Sequence, residues 1–523
     1  MRSHLLSVSR RALLLGAGAF ASSLLIGGGA FAQSAPAGVD GEATIQAAIA
    51  YGLSGAFDPL NASGAVTVAA NWHVFESLVD LDPVTREPYA ALAAEMPVSE
   101  DGLTYTIKLR DGAVFHNGDP VTADDVVYSF ERVLDPESKS LFRSFVSFID
   151  TVDAVSDDTV KITTKYPFSL FNKRLGSVKI VPRAVVEANP EGFGTQPVGT
   201  GPYKLISAVP EAQIVFERND AYTGPRPALA KDMVWNLISD PTARVNALSS
   251  GTVMAIEDVP YIDADAVAAV ASLEKAQSFG LLFAMFNTST EPFDDVRVRQ
   301  AFFYALDMDK IIGTGMLGNA TAATSFLPKT HPNYHEASVV YSYDPDKARA
   351  LLAEAGTPEL DITLMSTDHG WVRDVAPIIK ESLDQVGFNT TLDIGQSGGQ
   401  YGKVDAGEMQ VMIAPGDPSV FGNDPDILMQ WWYGDNVWPK DRYRWAGSPE
   451  YQALTATLTE ALTLDGEAQQ EKWNEAFDLL SEQVPLYPLF HRQLPTAWDD
   501  TQLVGFSPVP TTGLSFLGVG VAE

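Results

Sequence analysis

The spacing of apolar and polar residues changes repeatedly along the chain. TIQAAIA (44–50) reads as a first strand, and the Gly/Asn/Pro-rich YGLSGAFDPLNASG after it reads as a loop. Helical spacing follows around Ala69–Leu78. Tyr105, Ile107 and Leu109 alternate with Thr104, Thr106 and Lys108, the period of a half-buried strand, and Asp111-Gly112 supplies a turn. Thr122 heads a capping box with Asp125, because its hydroxyl can accept the orphan amide three residues on. Val126, Val127, Phe130 and Val133 then form an apolar stripe at helical spacing.

The alternation continues to the C-terminus. QPVGTGPYKL (196–205) predicts a Gly/Pro turn into a strand, and AQIVFERND and DMVWNLI predict two more. PTARVNALSSG reads as a helix stopped by Gly251. FAMFNTSTEPFDDVRVRQAFFYALDMDKII goes from strand through turn to helix. In YDPDKARALLAEAG, Asp344 caps, Pro345 sits in the first turn and Gly356 ends the helix. VAPIIKESLDQVGF and NTTLDI predict helix then strand, and MQVMIAPGD predicts a strand that delivers Asp417 at its C-terminal end. Interleaved strands and helices make the class α/β.

Length and charge narrow the function. With 523 residues the chain is too long for one core, so two or three lobes are expected. Lys and Arg number 35 against 67 Asp and Glu, a net charge of −32, which leaves no basic footprint for nucleic acid and disfavours anionic membranes. The absence of cysteine excludes disulfides, thiolate metal sites and lipid attachment through a thiol.

At the N-terminus, Arg10-Arg11 precedes a long uncharged run, and Ala30-Phe31-Ala32 matches a small-x-small cleavage site. The run resembles a twin-arginine export signal, with a Sec signal as its rival and an uncleaved anchor as the bland alternative. Its glycines and serines favour cleavage. Removal of residues 1–32 leaves 32 basic against 67 acidic residues, and a periplasmic location is expected for the mature chain.

Five stretches carry a resemblance. FESLVDLDP, SEDGLTYTIKLRDGAVFHNGDPVTADDVVYSFERV, PVGTGPYKL, PFDDVRVRQAFFYALDMDKI and YDPDKARALLAEAG, in this order, resemble the peptide/nickel/opine family of extracytoplasmic solute-binding proteins, family 5 of the ABC importers. The resemblance implies a two-lobed clamp with an extra third domain and discontinuous lobes. Lobe I would combine 41–70, 195–275 and 490–523; the extra domain would be 71–194 and lobe II 276–489, with 33–40 as linker and crossings near 275 and 489 as the hinge. It also implies a monomer that captures a peptide or peptide-like ligand by closing, then delivers it to an ABC importer permease. No cofactor is required. An opine, a sugar conjugate or an oligosaccharide stays open as the ligand. An extracytoplasmic hydrolase or a sensor receptor are the readings from other classes.

Peptide binders of this family place an aspartate shortly before an Asp-Pro or Glu-Pro turn, where it meets the ligand ammonium. Here Asp424-Pro425-Asp426 reads as the turn, but Phe421 stands nearest the usual aspartate, and Asp417 lies farther back. Asp417 is therefore either a ligand counter-ion or a loop acid or cap. Trp371 and Arg373, with His369, precede the VAPIIKE helix near the place where some relatives pair a ligand carboxylate. Tyr51, Leu53 and Ser54 follow the first strand, and Asn287 ends another; loops at strand carboxyl ends line clefts in α/β sheets, though a plain connecting loop is the competing reading.

WWYGDNVWPKDRYRW (431–445) concentrates four of the nine tryptophans. Gly434, Asp435, Asn436 and Pro439 break any continuous helical stripe. Trp431, Trp432 and Tyr433 are expected as apolar cleft wall, with Arg442 or Arg444 meeting a carboxylate or stacking on a ring; aromatics packed under the loop are the alternative. His331 and His335 in HPNYH are four apart, but Pro332 argues for a loop, so no metal site is expected. Nucleophile elbows, zinc-protease helices and phosphate loops have no match, and the chain reads as a non-enzyme.

Overall fold

The computed structural model describes residues 36–138 and 140–523; the export signal expected over residues 1–32 lies outside them. The first strand, Thr44–Ile49, pairs in parallel with Asp232–Leu237 on one side and Ala255–Ile256 on the other. The sheet then continues through Leu486–Trp498, Ser272–Phe286, Val411–Gly416, Leu360–Thr367 and Phe388–Gly395. A separate three-stranded antiparallel sheet, Thr104–Lys108, Thr159–Thr164 and Ile149–Ser156, carries the helix Ala123–Leu134.

Local signals shape these elements as expected at several points. The Thr122–Asp125 capping box is formed, and Val126, Phe130 and Val133 are buried, with Val127 at the stripe's edge. Asp344 accepts the Lys347 amide at 2.9 Å, Pro345 opens the helix and Gly356 leaves it at φ +81°. One boundary differs. The helix expected around Ala69–Leu78 runs instead over Ala65–Val74. The loop PVGTGPY crosses its end, where the Gly201 amide donates to the Val74 carbonyl at 2.9 Å. A Cβ on Gly199 would lie 2.0 Å from that carbonyl oxygen, so only glycine permits the approach.

The sheet is continuous because two long antiparallel strands, Ser272–Phe286 and Leu486–Trp498, run through both of its halves. Their register holds from Ser272↔Trp498 to Gln277↔Gln493, breaks, and resumes at Leu281↔His491. Ser278, Phe279 and Gly280 form the break, opposite Arg492. Beyond it, Leu281–Phe286 also pairs with Val411–Gly416, so the break separates two differently partnered halves. A bulge loosens the ladder locally and increases twist, which suits a place where a sheet must flex. The chain thus crosses between halves on strands, and the ladder shifts register at this break and again between Leu282 and Phe283.

The segment carrying the small sheet packs against the far half. Phe142 and Phe145 meet Phe421 at ring-centroid distances of 5.3 and 6.1 Å. Arg174, 1 % exposed at its side chain, meets both Asp424 and Asp426. No helix among the described residues is long and apolar enough to cross a membrane.

Candidate functional site

Two groups of side chains join the halves, both beside the strand break. The first is centred on Arg492. Its Nη2 donates to the Tyr51 hydroxyl at 2.8 Å, and its Nη1 pairs with Asp258 at 2.5 Å. The guanidinium lies 4.7 Å from the Trp371 ring centroid, a cation–π contact. Tyr51 in turn packs on His369 at 5.5 Å. Burial alone would pull the Arg492 guanidinium down, but Asp258, with Tyr51 and Tyr261, outweighs it and holds it well above its usual value. Asp258 itself adopts φ +52°, a conformation unfavourable for a residue with a Cβ and often kept at functional sites.

Glu257, next to it, accepts the Ala50 amide at 2.9 Å and the Gly513 amide at 3.0 Å. It thereby ties the loop after the first strand to the C-terminal segment. Burial pushes its carboxyl up to about 7, against the pull of those two amides.

The second group is centred on Asp417. Its Oδ2 accepts from the Thr512 amide at 2.8 Å, the Thr512 hydroxyl at 3.0 Å and the Thr511 hydroxyl at 3.1 Å. Its Oδ1 accepts from Ser419 at 2.5 Å. Asp417 is therefore neither a solvated loop acid nor a helix cap: it joins the end of strand Val411–Gly416 to the C-terminal segment. Beside it, a cavity of about 120 Å³ opens between Arg86, the strand break at Gln277–Phe279, the loop around His331, and Ser419.

The expected residues divide. Tyr51, Trp371 and Asp417 do meet across the halves. Leu53 is half-buried on the core of the first half, and Ser54 is exposed, its carbonyl accepting the Thr67 hydroxyl. Phe421 and Trp431 are half-buried and pack at a tilt, their ring centroids 4.8 Å apart. Arg373, two residues beyond Trp371 and so on another helix face, is exposed.

Two expectations are corrected, and two further expected residues are engaged within the protein. Trp432 is 1 % exposed and packs among Phe279, Phe283, Phe326 and Trp438, so it is core rather than cleft wall. Tyr433 is fully buried, its hydroxyl donating to the Leu486 carbonyl at 2.6 Å. Arg442 is already engaged, stacked over Trp438 and Tyr401 at 4.4 and 4.8 Å and paired with Asp405 at 3.0 Å. Asn287 is buried and accepts the Ser289 amide and hydroxyl, at the opposite end of Val411–Gly416 from Asp417. For Trp432 and Tyr433 the reason is that Asp424-Pro425-Asp426 does not form a free turn. Asp424 caps the helix Pro425–Tyr433, which turns Trp432 and Tyr433 inward before Gly434 ends it.

Replacing Arg442 by alanine is therefore expected to cost about 1–2 kcal/mol of stability through the lost stacking and ion pair, and to leave ligand affinity unchanged. Parallel urea melts and binding titrations check it; a tenfold loss of affinity would return Arg442 to the site.

Arg492, Asp258, Glu257, Thr511, Thr512 and Arg86 were not anticipated. Only Arg492 carried a signal, as a cation inside the apolar strand LYPLFHRQLPTAW. His331 bonds the Asn423 carbonyl and His335 bonds Asp478; no cluster of metal-ligating side chains occurs among the described residues.

The sequence profile of the bacterial extracellular solute-binding proteins, family 5, matches residues 87–450. The glutathione-binding protein GsiB of Pectobacterium atrosepticum is 29% identical over 479 residues, covering 89% of this chain and 92% of that protein. GsiB of Escherichia coli K12 is 28% identical over 469 residues, covering 88% and 91%. Among solved structures, the binding protein AgaA of A. tumefacien R10, in complex with agropinic acid, superimposes with a TM-score of 0.82 at 26% identity, covering 92% of this chain and 99% of that one. The Escherichia coli murein tripeptide binding protein MppA shares the fold, with a TM-score of 0.83 at 21% identity over 93% of this chain and 100% of its own.

Proposed function

The chain belongs to family 5 of the bacterial extracellular solute-binding proteins, and on that premise we propose that it captures a small peptide or peptide-like ligand between its lobes and delivers it to an ABC importer permease. Proteins of this family are extracytoplasmic and work with ABC importers. The observation that carries the reading is the register break at Ser278–Gly280, beside which two groups of side chains join the two halves. A ligand that touches both halves only when they meet shifts the population toward the closed form. The division that goes with this reading is a first lobe of 41–70, 195–275 and 490–523, an extra domain of 71–194 and a second lobe of 276–489. The mature chain acts as a periplasmic monomer after cleavage of its export signal, and it carries out no chemistry on the ligand.

Peptides are favoured over oligosaccharides by the fate of the tryptophans. Trp432, Trp438 and Trp445 are buried in protein, so the aromatic stretch offers no broad stacking face to a sugar. An opine is the second reading, supported by the likeness to AgaA in its complex with agropinic acid.

A thermal-shift screen with tripeptides, agropinic and mannopinic acids, and short oligosaccharides tests this. Peptides are expected to raise the melting temperature in a concentration-dependent way, as mass action requires, and to be recovered unchanged. Stabilisation by oligosaccharides alone, or conversion of the peptide, would sink the reading.

A further inference from the structure

Arg86 sits at the tip of a hairpin whose strands are Val79–Leu81 and Pro88–Ala90. Asp82 builds that tip: its Oδ1 accepts the Val84 amide at 2.9 Å and the Thr85 amide at 2.7 Å. Arg86 closes the turn with φ +62°, a conformation that glycine or asparagine would adopt more readily. The hairpin thus holds an arginine, at a backbone cost, where it reaches the opposite lobe. There one Nη2 hydrogen donates to the Ser419 carbonyl.

The rest of the guanidinium is under-used. Its Nε is sealed from solvent and has no acceptor. The carboxylates that face it, Asp417 and Asp82, are both engaged elsewhere. Asp417 accepts from Ser419, Thr511 and Thr512, and Asp82 pairs with Arg226 while holding its own turn. Among the described residues no carboxylate comes within ion-pairing distance of Arg86. Burial pulls the guanidinium down to about 10, only partly offset by the two acids, so it stays charged at neutral pH. Arg86 is half-buried, and a partly desolvated charge without a direct counter-ion favours a partner that completes it.

Arg86 also lines the cavity of about 120 Å³, together with Ser278, His331, Ser419 and Asn423. That space takes a carboxylate and its adjoining methylenes. The chain's net charge of −32 repels anionic ligands at long range, so discrimination in favour of an acid needs a local cation inside the cleft.

We propose that Arg86 is a specificity-determining residue that receives a carboxylate arm of the ligand in this cavity, selecting acidic peptides or amino-acid conjugates over neutral ones. The inference rests on the cleft being the ligand site. It places the selecting cation on the extra domain, so this domain contributes directly to recognition.

The test compares Ala-Glu-Ala with Ala-Gln-Ala by calorimetric titration. The termini are identical, and only the side-chain carboxylate differs. Glutarate serves as a small probe of the cavity itself, read by thermal shift. The wild-type protein is expected to prefer Ala-Glu-Ala by at least tenfold. Arg86→Met should reduce the ratio to within twofold, and Arg86→Lys should keep part of it. A purely structural Arg86 would lower the melting temperature without touching the ratio. A ratio near one in the wild type, or an unchanged ratio in Arg86→Met, overturns the proposal and leaves peptide binding standing. If neither peptide binds but glutarate stabilises the wild type and not Arg86→Met, the anion site stands and the peptide reading falls. If neither peptide nor glutarate binds, both fall.

Discussion

Arg174→Met is expected to destabilise the protein by about 3–5 kcal/mol, the range for breaking a buried ion pair from one side. Arg174 is the cation paired with two buried acids. It holds Asp424 through Nη2 at 2.5 Å and Nε at 3.1 Å, and Asp426 through Nη2 at 2.7 Å. In a fourth contact, Nη1 donates to the Phe145 carbonyl at 3.3 Å. Burial raises the carboxyl of Asp426, opposed by Arg174 and reinforced by the neighbouring charge of Asp424. Asp424 is held below the usual carboxylate range, because Arg174 and the Ile427 amide outweigh its burial.

Removing the arginine leaves both acids buried without a counter-charge. They must then take up protons or pull the interface open. The loss should therefore be largest at pH 8 and shrink toward pH 5, as protonation relieves it. Urea midpoints across that range measure it. The combined replacement Arg174→Met, Asp424→Asn, Asp426→Leu should regain most of the stability, since asparagine still caps the helix and no charge is stranded. A cost below 1 kcal/mol for Arg174→Met at pH 8 would show that the triad is solvated in solution.

The second large effect is acid sensitivity. His73 is fully buried, and its Nε2 accepts the Phe516 amide at 2.9 Å, so Nδ1 carries the proton and bonds the Ala69 carbonyl. Charging this ring would set an N–H against an N–H. His491 is buried at the strand break, its Nδ1 on the Phe279 carbonyl at 2.7 Å. Burial draws both from 6.5 down to about 4. The unfolded chain therefore binds protons on these rings between about 6.5 and 4 while the folded chain does not. Stability is complete above pH 6.5 and is lost as pH falls through that window, by about 3 kcal/mol per ring.

Glu257 opposes this. Its folded carboxyl takes a proton near 7 instead of 4.5, so it gains stability as pH falls over the same span. Glu257→Gln is expected to steepen the acid loss, and a His491→Phe variant to flatten it. Chemical denaturation at pH 7.5, 6 and 4.5 measures the slopes. Equal stability of Glu257→Gln at all three values would contradict the assignment.

These effects also mark how far the amino-acid order alone reaches. The Thr122 capping box and the Asp344–Pro345–Gly356 punctuation depend on residues within a few positions, and they form as expected. The aromatic stretch does not yield in the same way. Whether Trp432 faces solvent or Phe279 is decided by strands from distant parts of the chain and by Asp424 starting a helix. Arg492 finds Asp258 across 234 positions and Tyr51 across 441. No local pattern records such a meeting. Arg86 is hidden further, because it looks like an ordinary turn residue until the hairpin's target is known. Asp417 was legible as the end of a strand, but its partners Thr511 and Thr512 were not.

The long strand Leu486–Trp498 lies between Ser272–Phe286 and Ala255–Ile256, in the middle of the sheet, yet it is among the last segments to be synthesised. Until it emerges, the growing chain carries two unmatched strand edges, the kind of surface on which other chains pair. At roughly 5–20 residues per second, several hundred residues wait many seconds for their central element. The centre of the sheet thus waits for this strand, and pairing at such sequence separation is intrinsically slow.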